Sequence, residues 1–381
     1  MPTIDEQIHT GRSRARSPYM EWSKCHPHVA FNLAASGMPS YTLADFVAAG
    51  WLKFDDLELT GAAGYGYPPL QQAIADKAGV SPDCVVAAAG CSMANQLAMA
   101  AAFEPGDEVL IEQPTYELLV TTAQYLGATV RRFARRFEEG FRLDPHEVAQ
   151  AISSNTRLVV ITNLHNPSSA LADDATLAAV GEIARSVGAR VLVDEVYLET
   201  QYSTPWRSSF HLGNHFIVAS SMTKAYGLSG LRCGWVLAEP DLALAMWHIN
   251  DLHGVNAAYP AELLSVIAMR HLPELGAPYQ KRLEANRQIA YRWLDERPEM
   301  RVARPPIGTT LFPRVWGENA ESFCDLLREQ YEVGVVPGKF FEAPAHFRMF
   351  LGAETPAFTE ALGRIGAALD HVTGGRAMAS K

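Results

Sequence analysis

The chain has 381 residues, 48% of them hydrophobic and 19% charged, a composition that supports a large core and excludes an intrinsically disordered protein. With 32 basic against 42 acidic residues the formal net charge is -10; the local cluster RRFARR, Arg131 to Arg136, reads as a solvated face and gives nucleic-acid binding little support. Five cysteines, far apart and without CxxC spacing, argue against a disulfide framework and a metal site, and fit a reduced, cytoplasmic protein.

The N-terminal stretch MPTIDEQIHTGRSRARSPYMEW has no apolar core of the kind that directs export, and no uninterrupted apolar run reaches about 18 residues. A soluble protein with no membrane partner is expected. CVVAAAG, Cys84 to Gly90, reads as a strand entering a turn, and SMANQLAMAAAF then sets Met93, Leu97, Ala100 and Ala101 on one helical face. EPGDEVLIEQP supplies a turn and a strand over Val109 to Glu112. GATVRRF, RLVVITN, RVLVDEVY, HFIVASS and LRCGWVLA follow as short apolar runs, several separated by helix-length segments. Strands apolar on both faces predict an α/β fold around a mostly parallel sheet between helices. From about residue 285 the pattern changes to that of a smaller α+β domain, completed by the N-terminal segment. The expected division is an arm over 1–45, a large domain over 46–284 and a small domain over 285–381.

Ligands in such sheets bind beyond the carboxyl ends of the strands, where Asn166, Asp194, Tyr197, Ser221 and Lys224 all fall. A lysine beside a buried strand is costly unless paired, solvated or reacted, and Lys224 stands in the small, hydroxylated stretch SSMTKAYGLSGLRCGW. Its amine suits a Schiff base with an aldehyde. Arg232 and Ser221 suit a phosphate, and Gly90, Cys91 and Ser92 open a helix whose N–H groups can hold the same anion. An aldehyde bearing a phosphate is pyridoxal 5'-phosphate. Its ring nitrogen calls for a buried carboxylate, Asp194; its phenolic oxygen for Tyr197 and Asn166; its ring for an aromatic platform, Tyr116. Taken singly, each of these residues has a plainer reading as a surface charge, a cap or a core aromatic. Cys91 itself, like Cys233, reads as packing.

These stretches resemble the class I/II aminotransferases, pyridoxal-phosphate enzymes of fold type I. SMTKAYGLSGLRCGW is similar to the family's lysine signature, HNPSSA to its asparagine-proline motif and VDEVY to its D-E-x-Y strand. The resemblance implies that Lys224 carries the cofactor and moves the substrate proton, and that Arg348, in HFRMFLGA, forks onto the substrate α-carboxylate with Asn166 and the backbone near Gly37. It also implies a homodimer in which a tyrosine reaches the partner's phosphate; GYGYPP offers Tyr65 as the candidate, with Tyr67 beside it, neither at the usual spacing. Two departures stand out: Ser169 where a glycine is usual, and His165 before Asn166, a residue that either touches substrate or is structural. No arginine occurs in DLHGVNAAYPAE, which lowers support for a dicarboxylic substrate; Trp22, His26 and Lys339 are candidates for shaping specificity. The implied reaction is transfer of an amino group between an L-amino acid and a 2-oxo acid by a ping-pong mechanism; the alternative is a lyase or synthase of specialised amino-acid metabolism.

Overall fold

Side chains that alternate along the apolar runs need two separate cores to enter, and the fold supplies both. In the computed structural model, which describes residues 15–26, 29–61, 64–202, 206–315 and 319–379, Leu158 and Val160 of one strand enter one cluster while Val159 and Ile161 enter another. All four are fully buried, each stabilising the sheet by about 1.5–3 kcal/mol relative to exposure.

The elements in chain order are α1 (Pro18–Cys25), β1 (Phe31–Asn32), α2 (Leu43–Ala48), α3 (Pro68–Ala78), β2 (Val85–Ala89), α4 (Cys91–Ala102), β3 (Glu108–Gln113), α5 (Glu117–Tyr125), β4 (Thr129–Ala134), α6 (Pro145–Ala151), β5 (Thr156–Thr162), α7 (Asp174–Ser186), β6 (Arg190–Asp194), β7 (Phe216–Ser221) and β8 (Cys233–Leu237). They continue with α8 (Pro240–Asp251), α9 (Tyr259–Met269), α10 (Leu272–Asp295), β9 (Thr310–Leu311), α11 (Glu321–Tyr331), β10 (Val333–Gly334), β11 (Val336–Pro337), β12 (Phe347–Phe350) and α12 (Thr355–Ala379).

Seven strands form the main sheet in the order β2-β8-β7-β6-β5-β3-β4. Neighbours are parallel except around β8, which runs antiparallel to both β2 and β7. The expected α/β fold with a mostly parallel sheet is therefore present. A three-stranded antiparallel sheet, β11-β12-β9, lies in the C-terminal part, and β1 of the N-terminal segment pairs with β10 through Phe31 and Val333. The 24-residue helix α10 runs continuously across residues 284 and 285.

Two details differ from the sequence reading. The fully buried residues of α4 are Ala94, Asn95, Leu97, Ala98 and Met99; of the expected face only Leu97 is among them, while Met93 and Ala101 pack against the same core half-buried, because alanines line both sides of the helix and gave periodicity little contrast. The basic cluster is not wholly a solvated face either. Arg135 is 2% exposed, and its Nη1 donates to Glu112 Oε2 at 2.8 Å. The carboxylate from the neighbouring strand makes burial of that cation tolerable.

Candidate active site

Because β8 is antiparallel to both neighbours, β2 runs in the same direction as β7, and the carboxyl ends of β2, β3, β5, β6 and β7 share one edge of the sheet. A cavity of about 250 Å³ opens at that edge, lined by Lys224, Asp194, Tyr197, Tyr116, Asn166, Ser221, Arg232, Arg348, Cys91 and Ser92. A larger hollow, of about 910 Å³, is lined by none of the sequence-predicted site residues. The strand ends, not the volume, mark the site.

Lys224 follows the end of β7. Its Nζ donates to Ser36 Oγ at 2.6 Å, and its pKa is lowered from 10.5 to about 8, first by burial and then by the Arg348 charge. Gly37 packs beside it: a Cβ there would lie 3.0 Å from Thr223 O and 3.4 Å from Lys224 Cα. Met38 N donates to Lys224 O at 2.9 Å, so the chain around Gly37 is tied to the lysine backbone.

Asp194 ends β6, 5% exposed, and accepts from Asn95 Nδ2 at 2.7 Å, Val196 N at 3.0 Å and Cys91 Sγ at 3.4 Å. Burial raises its pKa while these donors hold it down; the donors favour the charged form that a pyridinium requires. Burial also pushes the Cys91 thiol well up, with the Asp194 charge adding to the effect, so Cys91 is a thiol donor rather than a nucleophile. Tyr197 is pushed up to about 12 by burial, and Tyr116 is raised by the same cause.

The end expected to receive an anion lies where β2 enters α4. Gly90 caps that helix at φ 80°, and a Cβ on it would stand 2.1 Å from Arg232 Nη2, so only glycine lets the guanidinium approach. Arg232 Nη2 donates to Ala89 O at 3.1 Å and Nη1 to Ser229 O at 3.3 Å, directing the fork at the helix N-terminus. Ser221 Oγ accepts from Thr223 N at 3.3 Å.

At the other end Arg348, 1% exposed, donates to Asn166 Oδ1 and to Tyr19 Oη, each at 3.0 Å. Its Nε is buried without a hydrogen-bond partner. A buried guanidinium with neutral partners and a spare donor is a natural carboxylate receptor. Tyr19 sits on α1, whose residues Met20 and Ser23 also line the cavity, and its ring meets Tyr116 edge-on at 5.5 Å.

Tyr19, Ser36 and Asn95 are site residues that the sequence reading missed. Tyr65 does not reach the cavity within this chain; it is 48% exposed and stacks on Trp247 at 6.0 Å, while Tyr67 meets Tyr259 edge-on. Trp22, His26 and Lys339 stand outside the cavity lining: Trp22 packs on Tyr19 and Phe340, His26 on Trp22, and Lys339 pairs with Glu321. His165 is buried between Ser168 Oγ at 2.6 Å and Pro114 O at 2.9 Å; burial lowers its pKa well below the usual histidine value, and it lies off the cavity.

The cavity fits pyridoxal phosphate on its own chemistry: a neutralisable amine, a buried carboxylate held by three donors, and a glycine cradle beside a guanidinium. A family model described as aminotransferase class I and II matches residues 44–365. Capreomycidine synthase of Streptomyces vinaceus is 28% identical over 91% of both chains, and an aspartate aminotransferase of Pyrococcus horikoshii is 27% identical over 80% of this chain and 82% of that one. The crystal structure of a PLP-dependent aminotransferase from Streptococcus suis superposes with a TM-score of 0.86 at 27% identity, covering 93% of this chain and 98% of that one. With the family model spanning most of the sequence, the chain belongs to the aminotransferase class I and II family, and it is a pyridoxal-phosphate-dependent enzyme of the aminotransferase type.

Proposed function

We propose that this enzyme moves an amino group between an L-amino acid and a 2-oxo acid in two half-reactions. The observation that supports this is one cavity lined at once by an amine, Lys224, a buried carboxylate, Asp194, and a buried guanidinium, Arg348. The bound cofactor supplies an electron sink that acidifies the Cα hydrogen of an amino acid joined to it. In the proposed site Asp194 holds the ring-nitrogen proton, while Tyr197 and Asn166 donate toward the phenolic oxygen and Tyr116 faces the ring. Ser221, Arg232 and the N–H groups from Gly90 to Ser92 bind the phosphate. Arg348 and Asn166, helped by the backbone at Gly37, orient the α-carboxylate so that the Cα hydrogen faces Lys224 Nζ. That amine, with a pKa near 8, takes and returns the proton close to neutral pH.

The proposal includes a large cofactor-binding domain over 46–284 and a small domain over 285–381 with the arm 1–45, closing over substrate to exclude water. It also includes a cytoplasmic homodimer with Tyr65 directed at the partner's phosphate. Exposed Leu59 and Val255, which border one groove, support the dimer, and all five cysteines are free, which is compatible with a reducing compartment. No helix among the described residues is long and apolar enough to cross a membrane.

A second reading, cyclisation or elimination of an amino acid, is favoured by the relative named capreomycidine synthase, which matches over 91% of its own length. One experiment separates the two: incubate the holoenzyme with single L-amino acids, with and without 2-oxo acids, and identify the products. A new 2-oxo acid formed in step with amination of the acceptor supports transamination; a cyclised or deaminated product formed without an acceptor overturns it.

A further inference from the structure

Ser169 stands at φ 62°, in the left-handed region that costs a non-glycine residue about 1–2 kcal/mol. On backbone grounds alone glycine suits the position better. What the serine adds is a buried hydroxyl that reaches across the fold. Ser169 Oγ donates to Thr310 O at 2.9 Å, accepts from Thr310 N at 3.3 Å and lies 3.0 Å from Thr310 Oγ1. Thr310 Oγ1 in turn donates to Pro167 O at 2.9 Å. Both side chains are about 3% exposed, where unmade hydrogen bonds are costly.

These bonds join two segments that carry the proposed carboxylate receptor. Pro167 directly follows Asn166. Thr310 belongs to β9, which pairs antiparallel with β12 so that Thr310 faces Phe350 and Leu311 faces Met349; Arg348 is the preceding residue of β12. Space for the serine is provided at Gly308, φ 94°, where any Cβ would lie 2.4 Å from Ser169 Cβ. The two positions are matched, with a serine where the backbone favours glycine and a glycine where the serine needs room.

We infer that Ser169 is a positioning residue: through Thr310 it sets Asn166 and Arg348 in register for the α-carboxylate. This rests on the carboxylate role proposed for Arg348. It is tested on the holoenzyme with Ser169→Gly, which removes the hydroxyl and relieves the backbone, and with Thr310→Val and Thr310→Ser. Two quantities are read. One is the KM and kcat for the amino acid that the wild type uses; the other is the Kd of its α-methyl analogue, which has no Cα hydrogen to lose, from thermal stabilisation.

Ser169→Gly and Thr310→Val are expected to raise KM and Kd about tenfold, the order of one lost hydrogen bond. They are expected to hold kcat within about twofold, with Thr310→Ser close to wild type and Ser169→Gly melting no lower than wild type. Wild-type KM and Kd in Ser169→Gly, or a fall in kcat alone, overturns the inference; should Ser169→Gly misfold, Thr310→Val decides by the same criteria. Arg348→Lys, measured in parallel, keeps the two ideas apart. An unchanged KM in that variant removes the carboxylate reading itself, whereas a raised KM there with none in Ser169→Gly overturns only the role of Ser169.

Discussion

Lys224 concentrates the physics of the site in one group. Burial and the Arg348 charge disfavour its ammonium form, lowering its pKa from 10.5 to about 8. Above about 8 the amine is neutral and nucleophilic, and below it is protonated and inert. Uptake of cofactor by the stripped protein is therefore expected to speed up about tenfold between pH 7 and 9; a rise of about a hundredfold, which a lysine left at 10.5 gives, contradicts the shift. The same shift carries a sign for folding. The unfolded chain binds more protons at this group between about 10.5 and 8, so its contribution to stability is lost as pH falls through that window. Lys224→Ala is expected to abolish turnover and the cofactor's lysine-bound visible absorption, with the melting temperature retained. Asp194→Asn, which keeps the shape and removes the charge, is expected to lower kcat on the order of a hundred- to a thousandfold, measured by steady-state kinetics with cofactor saturating. Both residues were legible in the sequence because each ends an apolar run at the edge where a parallel sheet binds ligands. Asn95, Ser36 and Tyr19 were not: their partners lie 99, 188 and 329 residues away along the chain, beyond any local pattern.

Among the elements, three strand ends are bolted together behind the site. Glu112 of β3 accepts from Arg135 at 2.8 Å and from Thr162 N at 2.7 Å, and Thr162 Oγ1 donates to Glu112 Oε1 while accepting from Asn166 N at 3.0 Å. The pair is fully buried on both sides, so replacing it wholesale with apolar groups is tolerable while removing one member is not. Glu112→Ala is expected to cost about 3–5 kcal/mol in urea unfolding, leaving the Arg135 charge without its counter-ion. A loss within error of zero means that water already screens this pair. The neighbouring core sets a different scale: Leu158→Ala in β5, fully buried, is expected to cost about 2–5 kcal/mol in the same assay, with the KM unaffected because no polar partner of the site moves. The strands themselves were legible from their apolar runs, but the buried Arg135 was not, since a cluster of four arginines around one phenylalanine has the composition of a solvated edge.

At the scale of the whole molecule, Arg232 stays exposed within one chain, while Phe54, Leu59, Leu252 and Val255 are between 61% and 84% exposed, with Leu59 and Val255 bordering one groove. The proposed homodimer covers both. Sedimentation is expected to give twice the chain mass, and Leu252→Asp to shift it toward monomer with weaker retention of cofactor; a wild-type monomer that retains cofactor fully ends that proposal. The sequence by itself determined the α/β class, the cofactor and the residues at the strand ends, because helix and strand periodicity, glycine's access to positive φ and the chemistry of a lone lysine all act within a few residues. Only the tertiary structure decided that Tyr19 and Asn166 share Arg348, that Asn95 serves Asp194, and that Ser169 keeps a glycine's backbone angle opposite Gly308. Those pairings depend on which distant segments pack against each other, and packing is a property of the whole buried volume rather than of any stretch of chain.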